Sequence, residues 1–244
     1  MIKIEICAGS VTSALVAEQG GAYRIELCDN LKEGGTTPSY GMLLLARKNL
    51  SINLFPIIRP RGGDFLYSDL EFEVMKADVI QCRELGCDGV VFGILKSDGE
   101  IDIERCLELK KIAGNMETTF HRAFDRCKNP FKALEEIIEM GFERILTSGM
   151  ENTAVKGASL ISELTKQAAG RISIMPGAGI RPENLKELIN QTGATEFHST
   201  AKGKIKSKML FREIKTGTFE EEFFLEQTDI AVVKALVKIA GSIT

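Results

Sequence analysis

The chain holds two histidines among its 244 residues, His121 and His198, and both stand where short strand-like runs end. An imidazole changes charge near neutral pH, so His121 reads as a general acid or base and His198 as a second candidate. The bland alternative for each is a core ring bonded to a neighbouring carboxylate. Two matching E-x-C segments, Glu5-Ile6-Cys7 and Glu26-Leu27-Cys28, carry a second kind of chemistry. Adjacent strands lie about 5 Å apart, so thiols at equal height can share a soft, low-coordinate ion such as Cu(I). Barrel stagger can instead offset Cys7 and Cys28 by a residue or two, and cysteine is also a common small packing residue. Glu26 joins the candidates as a group that can orient His121 or exchange a proton with it.

Anion chemistry is suggested at two further places. Arg59-Pro60-Arg61-Gly62-Gly63-Asp64 presents two guanidinium groups, and Arg59 reads as a bidentate clamp for carboxylate or phosphate with Arg61 beside it. A salt-bridged loop is the competing account. Gly177-Ala178-Gly179-Ile180 precedes Pro182, and a glycine turn entering a helix offers backbone N–H groups to an anion. An ordinary tight turn would look the same. Ser148 and Ser199 fall at the ends of the sixth and eighth strand-like runs and are read as binding residues with Gly177 and Gly179.

The elements that must position these residues are periodic. Strand-like runs occur at Ile2–Cys7, Tyr23–Cys28, Leu54–Arg59, Gly89–Ile94, Thr118–Ala123, Arg144–Ser148, Ile172–Met175 and Glu196–Ser199. Helical runs separate them, giving units of about 30 residues, the size of one βα module. Ser68-Asp69-Leu70-Glu71 has the form of a capping box, and Pro130 and Pro182 suit first helical turns. Lys206–Gln227 resists the scheme and reads as an extra hairpin, turning at Thr216-Gly217-Thr218, before a last helix over Asp229–Ile239. Pro56 is a misfit, because a central strand needs its N–H; a bulge is expected there.

Alternating strands and helices force a parallel sheet. A dinucleotide-binding sheet should carry G-x-G-x-x-G after its first strand, and Cys7-Ala8-Gly9-Ser10 does not. The prediction is therefore one TIM-type (β/α)8 barrel over residues 1–244. Strand parity then puts Ile2, Ile4 and Ile6 against the helices and Lys3, Glu5 and Cys7 inside, with Arg24, Glu26 and Cys28 repeating the pattern. Low in the barrel, such charges can form a satisfied ion-pair network with no catalytic role. At the C-terminal rim, where barrel sites lie, they can do chemistry.

Composition narrows the class. With 31 basic against 34 acidic residues and a formal charge of −3, no nucleic-acid partner is expected. No apolar run approaches the roughly 18 residues of a membrane span, and Lys3 and Glu5 interrupt any signal-peptide core. The six cysteines include no C-x-x-C pair, which excludes zinc-ribbon and thioredoxin readings and suggests thiols in a reducing cytoplasm.

Longer motifs carry a resemblance. Glu26-Leu27-Cys28, Gly34-Gly35-Thr36-Thr37-Pro38-Ser39, Ile58–Phe65 (IRPRGGDF), Asp88–Gly93 (DGVVFG), Thr119–Asp125 (TFHRAFD), Leu146–Gly149 (LTSG) and Glu196–Ser199 (EFHS) resemble the CutC family of copper homeostasis proteins. That resemblance implies a cytoplasmic, often homo-oligomeric TIM barrel that binds Cu(I), with Cys7 and Cys28 matching the family's proposed ligands. Ala178 stands where the family pattern often has a further glycine. Two functions follow as expectations: a Cu(I)-binding protein, or an enzyme acting on a small anionic metabolite by acid/base chemistry.

Overall fold

A computed structural model describes residues 1–211 and 223–243. Eight parallel strands form the wall: β1 (Lys3–Ala8), β2 (Arg24–Leu27), β3 (Asn53–Pro56), β4 (Gly89–Phe92), β5 (Glu117–Phe120), β6 (Arg144–Thr147), β7 (Ser173–Pro176) and β8 (Glu196–Ser199). Each is followed by a helix: α1 (Val11–Gln19), α2 (Tyr40–Asn49), α3 (Asp69–Glu84), α4 (Ile103–Ala113), α5 (Pro130–Glu139), α6 (Ala158–Ala168), α7 (Pro182–Thr192) and α8 (Ile230–Gly241). The expected barrel is present.

Its wall is built as two four-stranded sheets, in the orders β3-β2-β1-β8 and β4-β5-β6-β7. The sheets meet at β3 and β4 through an Ile57–Val91 bridge and the Ile58 N–H bond to the Val91 carbonyl (2.8 Å). Pro56 accounts for the thin pairing there. Leu54 and Ile58, two residues to either side, direct their N–H groups toward β4 or its preceding loop. Pro56 has the same parity and no N–H to give. It lies in the strand, paired with Leu27, and no bulge is needed.

Local signals act as the sequence implies. Ser68 Oγ accepts the Glu71 N–H while Glu71 Oε2 accepts that of Ser68 (3.3 and 2.7 Å), which completes the capping box of α3. Pro130 and Pro182 begin α5 and α7, and Asp229 caps α8 through the Ala231 N–H (2.8 Å). The extra ribbon starts earlier than expected. β9 (Lys202–Lys206) pairs antiparallel with β10 (Phe224–Thr228), and the expected turn at Thr216–Thr218 lies outside the described residues.

Parity decides what the barrel encloses. Ile4, Ile6, Ile25 and Leu27 are buried with Ala14, Ala17, Val233 and Leu236 from the helices, whereas Cys7, Cys28, Phe55, Ile57 and Val91 form a separate interior cluster. Below that cluster lies a charged layer. Arg24 bridges Glu5 and Glu196, and Arg144 bridges Glu196 and Glu117, with both guanidinium groups about the Phe55 ring (4.9 and 5.1 Å). Leaving one such charge unpaired would cost several kcal/mol, on the order of 3–5, so the layer holds the strands in register.

Candidate functional site

Above the ion layer, three strands contribute one cluster. In the β1–β2 register Cys7 faces Glu26, so Cys28 stands one inward position higher than Cys7 rather than level with it. The side chains close that offset, and the two sulfurs lie 3.5 Å apart. Cys28 Sγ is also 3.4 Å from Glu26 Oε2. From β8, aligned so that Glu5 faces His198, the imidazole reaches in. Its Nδ1 is 2.7 Å from Glu5 Oε1 and its Nε2 is 3.7 Å from Glu26 Oε2. Donor atoms of Cys7, Glu26 and His198 all lie within 4.8 Å of one another.

Proton placement in the cluster follows from these contacts. The hydrogen bond from Cys28, helped by His198, holds the Cys7 thiol down at about 5 against its burial. The same bond, with burial, pushes Cys28 well above the usual thiol range. Burial and the neighbouring Cys7 charge raise Glu26 well above the carboxylate range. Burial alone would lower His198, but Glu26, Cys7 and Glu5 outweigh it and raise that ring well above its usual value. Glu5, whose burial opposes its charge, is held at about 2 by Arg24 and His198. The contacts thus favour a thiolate at Cys7, an ionised Glu5 and an imidazolium at His198, and favour the protonated forms of Cys28 and Glu26.

His121 is apart from that cluster. It ends β5, and its Nδ1 accepts the Ala123 N–H (3.2 Å), capping the short turn over Arg122–Arg126. The ring packs on Phe65 (4.9 Å between centroids) and Phe120. Burial, aided by the Arg59 charge, lowers its pKa to about 3, so the ring stays neutral rather than titrating near pH 7. With Nδ1 accepting, the proton sits on Nε2, which has no partner. Glu26 pairs with His198 and not with His121.

The arginines and serines of the long motifs mostly brace loops. Arg59 is buried over Phe65, and its Nη atoms donate to the carbonyls of Glu33, Gly35 and Gly63 (2.7–2.8 Å). Only its Nε lacks a partner. Arg61 lies outside the mouth, bound to Glu71, Asp64 and the Leu66 carbonyl. Ser148 is buried in a knot in which Asp125 accepts its N–H and Oγ–H while Arg122 donates to that Oγ (2.7 Å). Ser199 and Gly179 line the mouth. Gly177 sits behind His198, where an added Cβ would come within 3.4 Å of the ring.

A cavity of about 500 Å³ opens over the cluster. Its floor holds Cys7, Glu26 and His198, and its walls include Arg59, His121, Leu146 and Gly179. Arg122, Arg181 and Lys202 reach its rim. Reasoning from the sequence passed over Arg181 and Lys202 as ligand-facing groups. Their signal was position alone, immediately after the β7 turn and three residues beyond the end of β8.

Fold and site together define a (β/α)8 barrel with its reactive side chains gathered at the C-terminal mouth. The CutC family model matches residues 2–203, and the chain belongs to that family. It is 50% identical over 236 residues to a CutC family protein of Chromobacterium violaceum, covering 96% of each chain. It is 48% identical to the copper homeostasis protein cutC homolog of Homo sapiens, over 98% of this chain and 89% of that one. A crystal structure of CutC from Streptococcus agalactiae superposes with a TM-score of 0.79 at 37% identity, covering 82% of this chain and 99% of that one. Phosphoribosylanthranilate isomerase of Thermotoga maritima shares the fold alone, at 14% identity and a TM-score of 0.61, over 99% of this chain and 100% of that one.

Proposed function

We propose that this chain binds Cu(I) at the barrel mouth through Cys7 and Cys28. The carrying observation is the pair of buried sulfurs 3.5 Å apart, and the hydrogen bond from Cys28 holds the Cys7 thiol down at about 5, which favours its thiolate form. Thiolates suit a soft ion of low coordination number, and Glu26 or His198 supplies a third donor from the same cluster. A structural zinc site would need four protein ligands in a tetrahedron. The copper designation of the human relative agrees with this donor set. Anaerobic Cu(I) titration against a competing chelator tests it. Cys7→Ser and Cys28→Ser should each weaken binding by tenfold or more, and unchanged binding in both would remove the chemical basis of this reading.

A second reading is supported by the cavity itself, whose volume of about 500 Å³ suits a small organic ligand rather than a bare ion. In it, a protonated Glu26 and the His198 imidazolium are candidate acids beside the Cys7 thiolate, a candidate base. Such a site would process a small anionic metabolite. A thermal-shift screen of anionic metabolites with metal-free protein tests this reading, and no shift with any of them would overturn it.

A further inference from the structure

The loops after β7 and β8 present donors without acceptors. Ala178 and Gly179 turn left-handed in succession, at φ +71° and +82°. The Ala178 carbonyl takes the Ala154 N–H, the Gly179 carbonyl takes Asn184 Nδ2, and the Arg181 N–H is taken by Asn184 Oδ1 (2.8–3.0 Å). Ser199 Oγ donates to the Ile180 carbonyl and accepts the Ala201 N–H. The carbonyls are occupied, while the N–H groups of Ala178, Gly179, Ile180 and Thr200 have no acceptor among the described residues. All four residues line the cavity. They surround the N-terminus of the eleven-residue α7, whose own dipole favours negative charge.

A second observation comes from the opposite wall. His121 and Arg59 are 3% and 4% exposed and line the same cavity, and each has one nitrogen without a partner. Both nitrogens are donors, since His121 Nδ1 is already the accepting atom, and each lies buried beneath the cavity surface. At the rim, Arg181 is exposed with no ion-pair partner among the described residues, and Lys202 meets Glu226 at 3.1 Å. Among the residues that line the cavity, Arg59, Arg122, Arg181 and Lys202 are cationic, against acceptors at Cys7 and Glu26 on its floor and at the exposed Glu183 on the first turn of α7.

We propose that the cavity binds a small phosphate monoester, with its phosphate on the N–H groups of Ala178, Gly179, Ile180 and Thr200 beside Arg181. The carbon body of the ligand then extends toward His121 and Arg59 on one side and Cys7, Glu26 and His198 on the floor. A phosphate is favoured over a carboxylate because its three terminal oxygens can meet four backbone donors and a guanidinium together, whereas a carboxylate has two oxygens to share. This assignment gives the second reading above a chemical class, and rests on that reading only for what befalls the carbon body.

Metal-free protein is titrated with ribose 5-phosphate, inorganic phosphate, ribose and succinate by calorimetry, and amide spectra are followed during the phosphate addition. Both phosphate compounds should bind, ribose should not, and succinate should bind at least tenfold more weakly than ribose 5-phosphate. Phosphate should move the amide signals of Gly179, Ile180 and Thr200. Arg181→Glu should weaken ribose 5-phosphate by about tenfold or more, and Glu183→Gln should tighten it. Lys166→Glu, on the exposed face of α6, should change nothing. Circular dichroism checks that each variant is folded. Succinate binding as tightly as ribose 5-phosphate would overturn the phosphate assignment and leave the anion reading standing. Silence from all three anions would overturn both, and an unchanged affinity in a folded Arg181→Glu protein would overturn the assigned cradle.

Discussion

Glu5 and His198, 193 residues apart in the chain, close the barrel mouth through a 2.7 Å contact between Oε1 and Nδ1. The same carboxylate binds Arg24 below. One buried group thus joins the ion layer to the thiol cluster above it.

Glu5→Gln should lower stability by about 3 kcal/mol, since it removes one of the two carboxylates on buried Arg24 and the 2.7 Å partner of buried His198. In the wild type, Arg24 and His198 hold the Glu5 carboxyl at about 2, below its ordinary value of 4.5. Its contribution is therefore full above pH 4.5 and fades as pH falls through 2. Denaturant unfolding across that acid range should show a flatter profile for Glu5→Gln than for wild type.

Cys7 should carry a thiolate at neutral pH that protonates as pH falls through about 5. Ultraviolet thiolate absorbance should show that step in wild type and lose it in Cys7→Ser. In His198→Gln the step should move upward, because the imidazolium that helps hold the thiolate is gone.

Copper affinity should rise with pH. Cys28 holds its proton through the neutral range, so an ion bound by both sulfurs displaces one proton from it. Competition titrations should give an increase of at least tenfold per pH unit there, one decade for the Cys28 proton and a further one where Glu26 or His198 gives up its proton to bind. A flat dependence would mean that Cys28 is not a thiolate ligand.

Arg59→Ala should cost about 2–3 kcal/mol, because the buried Gly35 carbonyl and the part-buried bonds to the Glu33 and Gly63 carbonyls lose a charged donor. Arg59→Lys should recover little, since an ammonium cannot reproduce the planar fork. Arg61→Ala, at the exposed surface, should cost under about 1 kcal/mol. Chemical unfolding of the three variants tests the order.

Ala178→Gly should stabilise the protein by about 0.5 kcal/mol. The alanine sits at φ +71°, where L residues other than glycine are strained by roughly 1–2 kcal/mol. The entropy that glycine adds to the unfolded chain offsets part of that gain. Unfolding midpoints measure the difference.

Much of this was readable in the residues. The two-residue period of Lys3-Ile4-Glu5-Ile6-Cys7 sorts inside from outside without any knowledge of neighbours. Each glutamate and cysteine of the E-x-C pairs is found inward as that period requires. What stayed hidden depends on distant segments. Closure of an eight-stranded barrel does put β8 beside β1 and His198 beside Glu5 and Cys7, but that the ring also meets Glu26, leaving His121 without it, depends on a register no local pattern encodes. His121 looked titratable until burial against Phe65 and Phe120 fixed it neutral. Arg59 looked free because the carbonyls it binds belong to residues up to 26 positions away. The start of β9 escaped notice since Lys202-Gly203-Lys204-Ile205-Lys206 has little strand character without Phe224–Thr228 beside it.

The division of the wall into two sheets separates two jobs. Cys7, Cys28, Glu26 and His198 all ride on the β3-β2-β1-β8 shell, whereas His121, Leu146 and Gly179 belong to strand ends of the other. No backbone ladder joins β7 to β8 among the described residues, and the Ser199 hydroxyl, donating to the Ile180 carbonyl, stitches that seam instead. The sulfur-to-sulfur spacing is thus set within a single shell, independent of how the other half is docked.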